Sequence, residues 1–497
     1  MSVEPDRAGA RRGRRAHDST AAVAVTDPTA GARARATVQM REIHATPEGL
    51  ARLGAFYRDA YVAEFPDPDE RESLRNMRGY LSAKARGWYG PNSYHVVVAE
   101  LDGRPIGGAV SDYLAAPNAG VVEFLFVVPD ARGRGIGRAL LDETVRLLRA
   151  DARASDRGPL TAVVAEMNDP YRRSPTPDNL DPFERAVVWG RWGFAALGMR
   201  YVQPALSRGQ RPVENLMLIA RMLARPRTTR VPAAWALEVV AEYMRWAMRI
   251  PAPARHPQWR AMAAALGAQR HVELTPLQCY VGRDPQRPFE IDEIAAPGRK
   301  LRETLALLRR AIPHAGRVAT AAQFRDALAR SPSRARRYRL WSLRAPGTAR
   351  IEGLASFFTL ARCGFGGYVV LDGSLRGRGI LPLLVARIEE RMMRDGAGAD
   401  GWFVECGDES LAPLRRAGFA PVGGDYRPPA VGADGNGGVE RLHLLHKPFG
   451  QTADRPALSR AFVLDCVAAI LRHVYRVSGP RRHACYRRFA ASLEAAC

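Results

Sequence analysis

The chain has 497 residues, more than one hydrophobic core usually supports, so two or more domains are expected. Its 46% hydrophobic and 25% charged residues are those of a globular protein and exclude a collagen-like or coiled-coil chain. A net charge of +23 favours acidic ligands, whether nucleic acid, an anionic surface or a polyphosphate cofactor, but scattered arginines equally fit a compositional bias.

Residues 1–37 are rich in Ala, Arg, Gly, Thr and Pro without periodicity and are expected to be unstructured. Met40, before "REIHATPEGLARL", is a candidate natural start, which N-terminal sequencing of the native protein tests. The apolar run 21–25 is too short for a signal peptide, and no segment has the apolar length of a membrane span. Cysteines 279, 363, 406, 466, 485 and 497 have neither paired spacing nor a C-x-x-C, so they read as reduced thiols of a cytoplasmic protein.

Along the first half, 93–100 and 104–114 read as strands joined by the turn residues Asp102 and Gly103. The run 121–128 is apolar, β-branched and aromatic, as in a buried central strand, and Pro129-Asp130 ends it. A glycine-rich basic loop follows, then a helix with Leu141, Val145 and Leu148 on one face. Such a junction binds anions, because the first-turn amides of a helix lack intrahelical partners and carry the positive end of its dipole. The loop lacks the Gly-Lys-Ser/Thr of a P-loop, and Arg138 stands where G-x-G-x-x-G needs its third glycine. Residues 166–183 read as a long polar loop, either a lid over the site or a tolerated insertion. A helical extension is expected at roughly 235–266.

The second half repeats this order. "RGRGI" at 132–136 returns at 376–380, an offset of 376 − 132 = 244. Gly193-Phe194 returns as Gly418-Phe419, and "YVQP" at 201–204 as "YRPP" at 426–429. "LEVVAEYMRWAMRI" from Leu237 aligns with "LDCVAAILRHVYRV" from Leu464, which places a second extension at 460–493. The expected organisation is a tail (1–37), a first unit (38–225), an extension and linker (226–288), a degenerate second unit (289–450) and a final extension (451–497).

Arg132, Gly135 and Gly137 fill the Arg/Gln-x-x-Gly-x-Gly/Ala pattern, and "RWGF" follows at 191–194. In this the chain resembles the GNAT superfamily of acyl-CoA-dependent N-acyltransferases. The resemblance covers about 40–220 directly and 289–448 through the duplication. It implies an α/β fold with a mixed sheet, as two tandem GNAT-like domains each followed by a helical extension. It also implies acetyl-CoA as co-substrate, held by Phe126, Val127 and Val128 and by Arg132, Gly133, Arg134, Gly135, Ile136, Gly137 and Arg138.

The mechanism so implied is direct attack of an amine on the thioester, with a base to accept its proton and a backbone donor for the oxyanion. Glu123, in the apolar strand "VVEFLFVV", is the candidate base; the alternative is a charge at the strand's exposed end. The second unit's "GGYVVLDG" has no glutamate, and Leu381 and Pro382 follow its loop where a small residue is usual. The family's usual acid, a tyrosine four residues before the glycine of "GF", is replaced by Trp189 and by Leu414; Tyr201, Tyr171 or solvent are left as substitutes. Cys406 reads as a buried residue rather than a nucleophile, and His443 and His446 lack metal-ligand partners, so no metal is expected. The leading expectation is an N-acetyltransferase acting on a small-molecule amine, with no membrane partner. The alternatives are a non-catalytic acyl-CoA-binding or scaffolding protein and, less well supported, a nucleic-acid binder.

Overall fold

The computed structural model describes residues 20–24 (backbone), 37–174, 178–205, 209–312, 318–330, 332–333, 335–396, 398–430, 441–450 and 458–494. The first unit's strands are β1 (Thr20–Ala24), β2 (Thr37–Glu42), β3 (Ser93–Leu101), β4 (Arg104–Leu114) and β5 (Ala119–Val127). They continue with β6 (Ala162–Asn168), β7 (Ala195–Leu197), β8 (Leu216–Met222), β9 (Arg230–Pro232) and β10 (His271–Pro276). Their order across the sheet is β1-β2-β3-β4-β5-β6-β8-β7-β10-β9, and only β5 and β6 run parallel. That parallel step requires a crossover, which the helix Ile136–Ala154 supplies.

The second unit has β11 (Glu290–Glu293), β12 (Arg336–Arg344), β13 (Gly353–Leu360), β14 (Gly364–Leu371), β15 (Gly401–Cys406), β16 (Ala420–Pro421) and β17 (His443–Pro448). Its order, β11-β12-β13-β14-β15-β17-β16, repeats β2 to β8 of the first sheet, again with one parallel pair, β14–β15. The duplication read from the sequence is therefore a duplication of topology.

Local chemistry accounts for the elements. Asp102 (φ 51°) and Gly103 (φ 77°) are both left-handed, the geometry that matches a two-residue hairpin to strand twist, and they join β3 to β4. Successive residues of β5 and β6 point to opposite faces. Val122, Val163 and Ala165 pack under the crossover helix, while Val121 and Val164 pack under the extension helices Ala233–Trp246 and Pro257–Leu266. The second extension, Arg460–His473 and Ala484–Glu494, covers the corresponding face of the second sheet.

One core runs through both units at Tyr171, Tyr280 and Ala386. The Tyr171 hydroxyl donates to the carbonyls of Tyr280 (3.0 Å) and Ala386 (3.2 Å), joining the first unit to the helix Ile380–Arg394 of the second.

Two expectations need correction. Within 1–37, Thr20–Ala24 is an edge strand antiparallel to β2; its short apolar run adds main-chain hydrogen bonds to an otherwise open edge. The stretch 166–183 is not loop throughout, since β6 runs to Asn168 and a helix, Pro182–Arg191, starts at its other end. Its early part is no lid either: Asp169 and Tyr171 are buried between the units.

Candidate active site

Glu123 is the extra residue of a β-bulge. Val110 pairs with Phe124 and Ser111 with Val122, so Glu123 has no opposite number on β4. The β5–β6 ladder also ends there: it runs from Ala119↔Ala162 to Val122↔Ala165 and stops, although both strands continue. The strands thus splay beyond Val122, and amides on the β6 side of 123–127 are left without a ladder partner. The bulge places a carboxylate at the apex of that opening.

At the wide end of the splay lies the glycine loop. Gly133 and Gly135 both take φ 78°, a conformation that side chains other than glycine's rarely adopt. Ala139 N–H is the first to bond back, to the Gly135 carbonyl (3.1 Å), so the amides of Ile136, Gly137 and Arg138 lack intrahelical partners. A Cβ on Gly137 would stand 3.2 Å from Trp192, so this position is tight as well as small. These amides fit a diphosphate, which needs close backbone approach and several donors.

Arg132, the first residue of the motif, is anchored through its side chain. Its Nε donates to the Val127 carbonyl (2.8 Å), one terminal nitrogen to the Asn179 carbonyl (3.2 Å) and the other to buried Glu64 (2.7 Å). It pins the loop to the end of β5. Glu64 is delivered by a helix that continues from Pro47–Phe56 through the π-helical turn Tyr57–Tyr61. Asn179 of the 166–183 stretch bonds Glu64 as well (2.6 Å), so the later part of that stretch braces the glycine loop. Arg134 is exposed, and Arg138 pairs with Asp142 (2.9 Å). The side chains of Phe126 and Val127 are buried in the core, Phe126 stacked 5.6 Å from Phe56, so these residues face the splay with backbone only.

Sequence reasoning missed the residue beside Glu123. Asp112, buried on β4, stands opposite Val121, on the sheet face that Glu123 shares by alternation. Both Asp112 oxygens, Glu123 Oε1 and the Tyr94 hydroxyl are shielded from solvent; the Asp112 and Glu123 carboxyls face each other closely enough to share a proton, and no other described group bonds to those atoms. Burial, then the charge of Asp112, pushes the Glu123 carboxyl well above its usual range; burial raises Asp112 too. Two facing carboxyls so placed hold one proton between them more easily than two charges. Tyr80, Tyr89 and Tyr94 pack together near these carboxyls, with ring centroids 5.3 Å apart (Tyr80–Tyr94) and 6.5 Å apart (Tyr89–Tyr94). A lone Asp in "GGAVSDYL" was the only signal in the sequence, and its meaning depends on the register across the bulge.

The other candidates are placed elsewhere. Trp189 is buried in the core, 4.7 Å from the Phe194 ring. Tyr171 is spent on two carbonyls, and Tyr201 is bonded to Glu166, which also accepts from Tyr243 (2.9 Å). Burial pushes Glu166 up to about 7 against those hydrogen bonds. Tyr426 and Tyr475 hold Glu405 in the same way in the second unit, which marks a structural constellation rather than a catalytic one. Cys406 is raised to about 11 by burial, Glu409 and Asp408, the opposite of an activated thiol. His443 bonds Asp408 (2.7 Å), His446 packs against Phe403, and no group of side chains among the described residues could hold a metal ion.

The second loop keeps the backbone of the first. Gly377 and Gly379 take φ 72° and 70°, and Arg376 Nε donates to the Leu371 carbonyl (2.7 Å). Its bulge residue is Gly367, so the carboxylate is missing, and Arg287 lies over Gly379, donating to its carbonyl (3.4 Å).

The first unit is thus a mixed α/β fold whose one parallel pair parts at a bulge, with a glycine loop opening the crossover helix. The model of the acetyltransferase (GNAT) family matches residues 53–166, so the first unit carries a GNAT acetyltransferase domain, and the whole chain is two tandem GNAT-like units. GNAT acetyltransferases transfer an acyl group from coenzyme A to an amine. Among solved structures, the chain is similar to a tandem GNAT protein from the clavulanic acid biosynthesis pathway (14% identity, 84% of this chain and 99% of that one, TM-score 0.26). It is also similar to a ribosomal-protein-alanine N-acetyltransferase from Brucella melitensis (22%, 37% and 99%, TM-score 0.25). A third is the PaiA N-acetyltransferase from Thermoplasma acidophilum in complex with coenzyme A (12%, 37% and 99%, TM-score 0.26). No curated protein matches the chain. No helix among the described residues is long and apolar enough to cross a membrane.

Proposed function

We propose that the first unit is an N-acetyltransferase that acts on a small-molecule amine, with Glu123 as the base. One observation carries this reading: a carboxylate set beside Asp112 at the bulge where β5 and β6 part, next to a loop of free amides. Bound acetyl-CoA supplies the electrophilic thioester carbon. The amides around 133–138 hold its diphosphate, and those facing the splay beyond Val122 are donors for its chain and carbonyl. Glu123, once ionised, accepts the proton that an ammonium must lose before its nitrogen can attack. The second unit, without a carboxylate at Gly367 and with Leu381 in place of Gly137, serves as a structural partner.

Trp189 at the usual acid position favours a second reading, a non-catalytic acyl-CoA-binding protein. Release of free thiol from acetyl-CoA across a panel of amines separates the two. Amine-dependent thiol that Glu123→Gln suppresses supports the transferase; tight acetyl-CoA binding without any turnover supports the binder.

A further inference from the structure

The first extension helix, Ala233–Trp246, ends in a closure where Ile250 N–H bonds to the Met244 carbonyl (3.0 Å) and Arg249 takes φ 56°. Glycine is the usual residue at this left-handed position, because a side chain is strained there. The second extension closes alike: Val477 N–H bonds to the Leu471 carbonyl (2.9 Å) with Arg476 at φ 60°. Both units thus place an arginine where the backbone disfavours it, and backbone strain of this kind points to a task for the side chain.

In the second unit that task is plain, since Arg476 is paired with Asp326. The first unit supplies no such partner. The Arg249 guanidinium lies 4.0 Å from the Trp88 ring centroid, 4.6 Å from that of Tyr80 and 5.3 Å from that of Tyr89, and it donates to the Tyr89 hydroxyl (3.1 Å). No carboxylate among the described residues pairs with it. Tyr80 and Tyr89 stand near enough to Asp112 and Glu123 to feel their charge, and the charge of Arg249 is felt at Asp112. This end of the first sheet therefore has two carboxyls that face only each other and, among the aromatic rings beside them, one guanidinium with no carboxylate paired to it among the described residues.

We propose that the acceptor is an amine that also carries a carboxylate, its ammonium taken by Asp112 and Glu123 and its carboxylate by Arg249. This rests on the transferase reading above and adds the substrate class to it. A guanidinium presents two parallel N–H donors to a carboxylate, and a single one balances one negative charge, which favours a carboxylate over a phosphate dianion. The hydrocarbon between the two ends lies on the tyrosine rings. In the second unit Asp326 fills the carboxylate's place and Gly367 removes the base, so seat and base are lost together.

The test uses the full chain with acetyl-CoA and amine pairs that differ only in the carboxylate: phenylalanine with phenethylamine, lysine with cadaverine, leucine with 3-methylbutylamine, and 4-aminobutyrate with propylamine. In at least one pair the carboxylated amine is expected to give kcat/KM about tenfold or more above its partner, the scale of a charge-assisted hydrogen bond. Arg249→Met should bring that preference to within about threefold, mainly through KM, and Arg249→Lys should keep part of it. The proposal is overturned if the plain amine does as well in every reacting pair, or if Arg249→Met keeps the preference. If no pair turns over, equilibrium dialysis of the four amino acids against the CoA-loaded wild type decides, and this also serves if the variants do not fold. Retention of one of them, displaced by 3-phenylpropionate, supports the carboxylate seat, and no retention overturns it. A chain that fails to bind acetyl-CoA refutes the transferase reading instead.

Discussion

Glu123 and Gly367 occupy the same bulge in corresponding strands of the two units, each the extra residue opposite an unbroken neighbour. Only the first copy puts a carboxylate at the splay. Glu123→Gln keeps the shape and removes the base, so kcat/KM is expected to fall by about 10²–10⁴ while acetyl-CoA affinity is held by the amides 133–138. Thiol release and titration calorimetry measure the two separately. A variant that turns over at the wild-type rate would remove Glu123 from the mechanism.

The same carboxyl sets a pH dependence. Burial and the Asp112 charge raise Glu123, so the protein holds it protonated at pH values where a free glutamate is ionised. A base must be ionised to act, so kcat/KM should climb with pH through that raised value, well above the usual range of a glutamate carboxyl. Asp112→Asn removes the like charge and should move the acid limb to lower pH. An acid limb that stays in place in this variant would mean that another group controls it.

At the loop the second unit suggests its own experiment. Gly137→Leu installs the residue that the second copy carries as Leu381, at a position where even a Cβ would be 3.2 Å from Trp192. The side chain has to displace Trp192 or project over the amides, so acetyl-CoA affinity should drop by about tenfold or more; overpacking itself costs about 1–3 kcal/mol. Calorimetry with acetyl-CoA and a urea titration distinguish lost binding from lost folding. Unchanged affinity would free the loop amides from their assigned role.

The parts of this site that lie along the chain were legible in the sequence, and those that depend on pairing were not. The glycine loop, the crossover helix and the duplication are local or periodic, and Glu123 stood out as one charge in an apolar strand. Asp112 joined it only through the β4–β5 register, which a bulge shifts by one residue. Arg249 gave no signal because a left-handed arginine looks in sequence like any helical arginine. The motif arginine Arg132 was legible, but its anchoring was not, since its partners Glu64 and Asn179 come from distant segments.

A buried network under the first sheet gives a second pH dependence, this one of stability. His95 lies with Nδ1 2.7 Å from Glu42 and Nε2 2.6 Å from Asp151, and a neutral ring could donate to only one of them. Burial and Lys84 oppose its charge, but the hydrogen bonds to Asp151 and Glu42 outweigh them and the His95 pKa is raised; that of Glu42 is depressed despite its burial. The His95 contribution is therefore complete below the unfolded value near 6.5 and lost as pH rises through the folded value. That of Glu42 is complete above about 4.5 and lost on acidification. Urea midpoints should fall from mildly acidic towards alkaline pH, and His95→Gln should flatten that slope while costing about 1–3 kcal/mol, since Lys84 still pairs with Glu42. A slope that persists in the variant would assign it to other groups.

Tyr171 offers a test of whether the two units fold as one. Its hydroxyl serves the carbonyls of Tyr280 and Ala386, while Asp169 accepts from the Tyr171 amide and the Tyr280 hydroxyl, both at 3.0 Å. Tyr171→Phe keeps the ring against Phe183 and Tyr280 and removes only the donor. The Ala386 carbonyl sits inside a helix and keeps its ladder bond, so the loss should be about 1–3 kcal/mol, most of it at Tyr280. Unfolding should remain a single transition, since the shared apolar core is intact. Tyr171→Ala removes that ring from the core of both units, at about 3–5 kcal/mol, and should split the transition as the units lose their common packing. Calorimetric scans of the two variants measure this. If Tyr171→Ala leaves one transition at the wild-type midpoint, the contact around Tyr171 does not hold the units together.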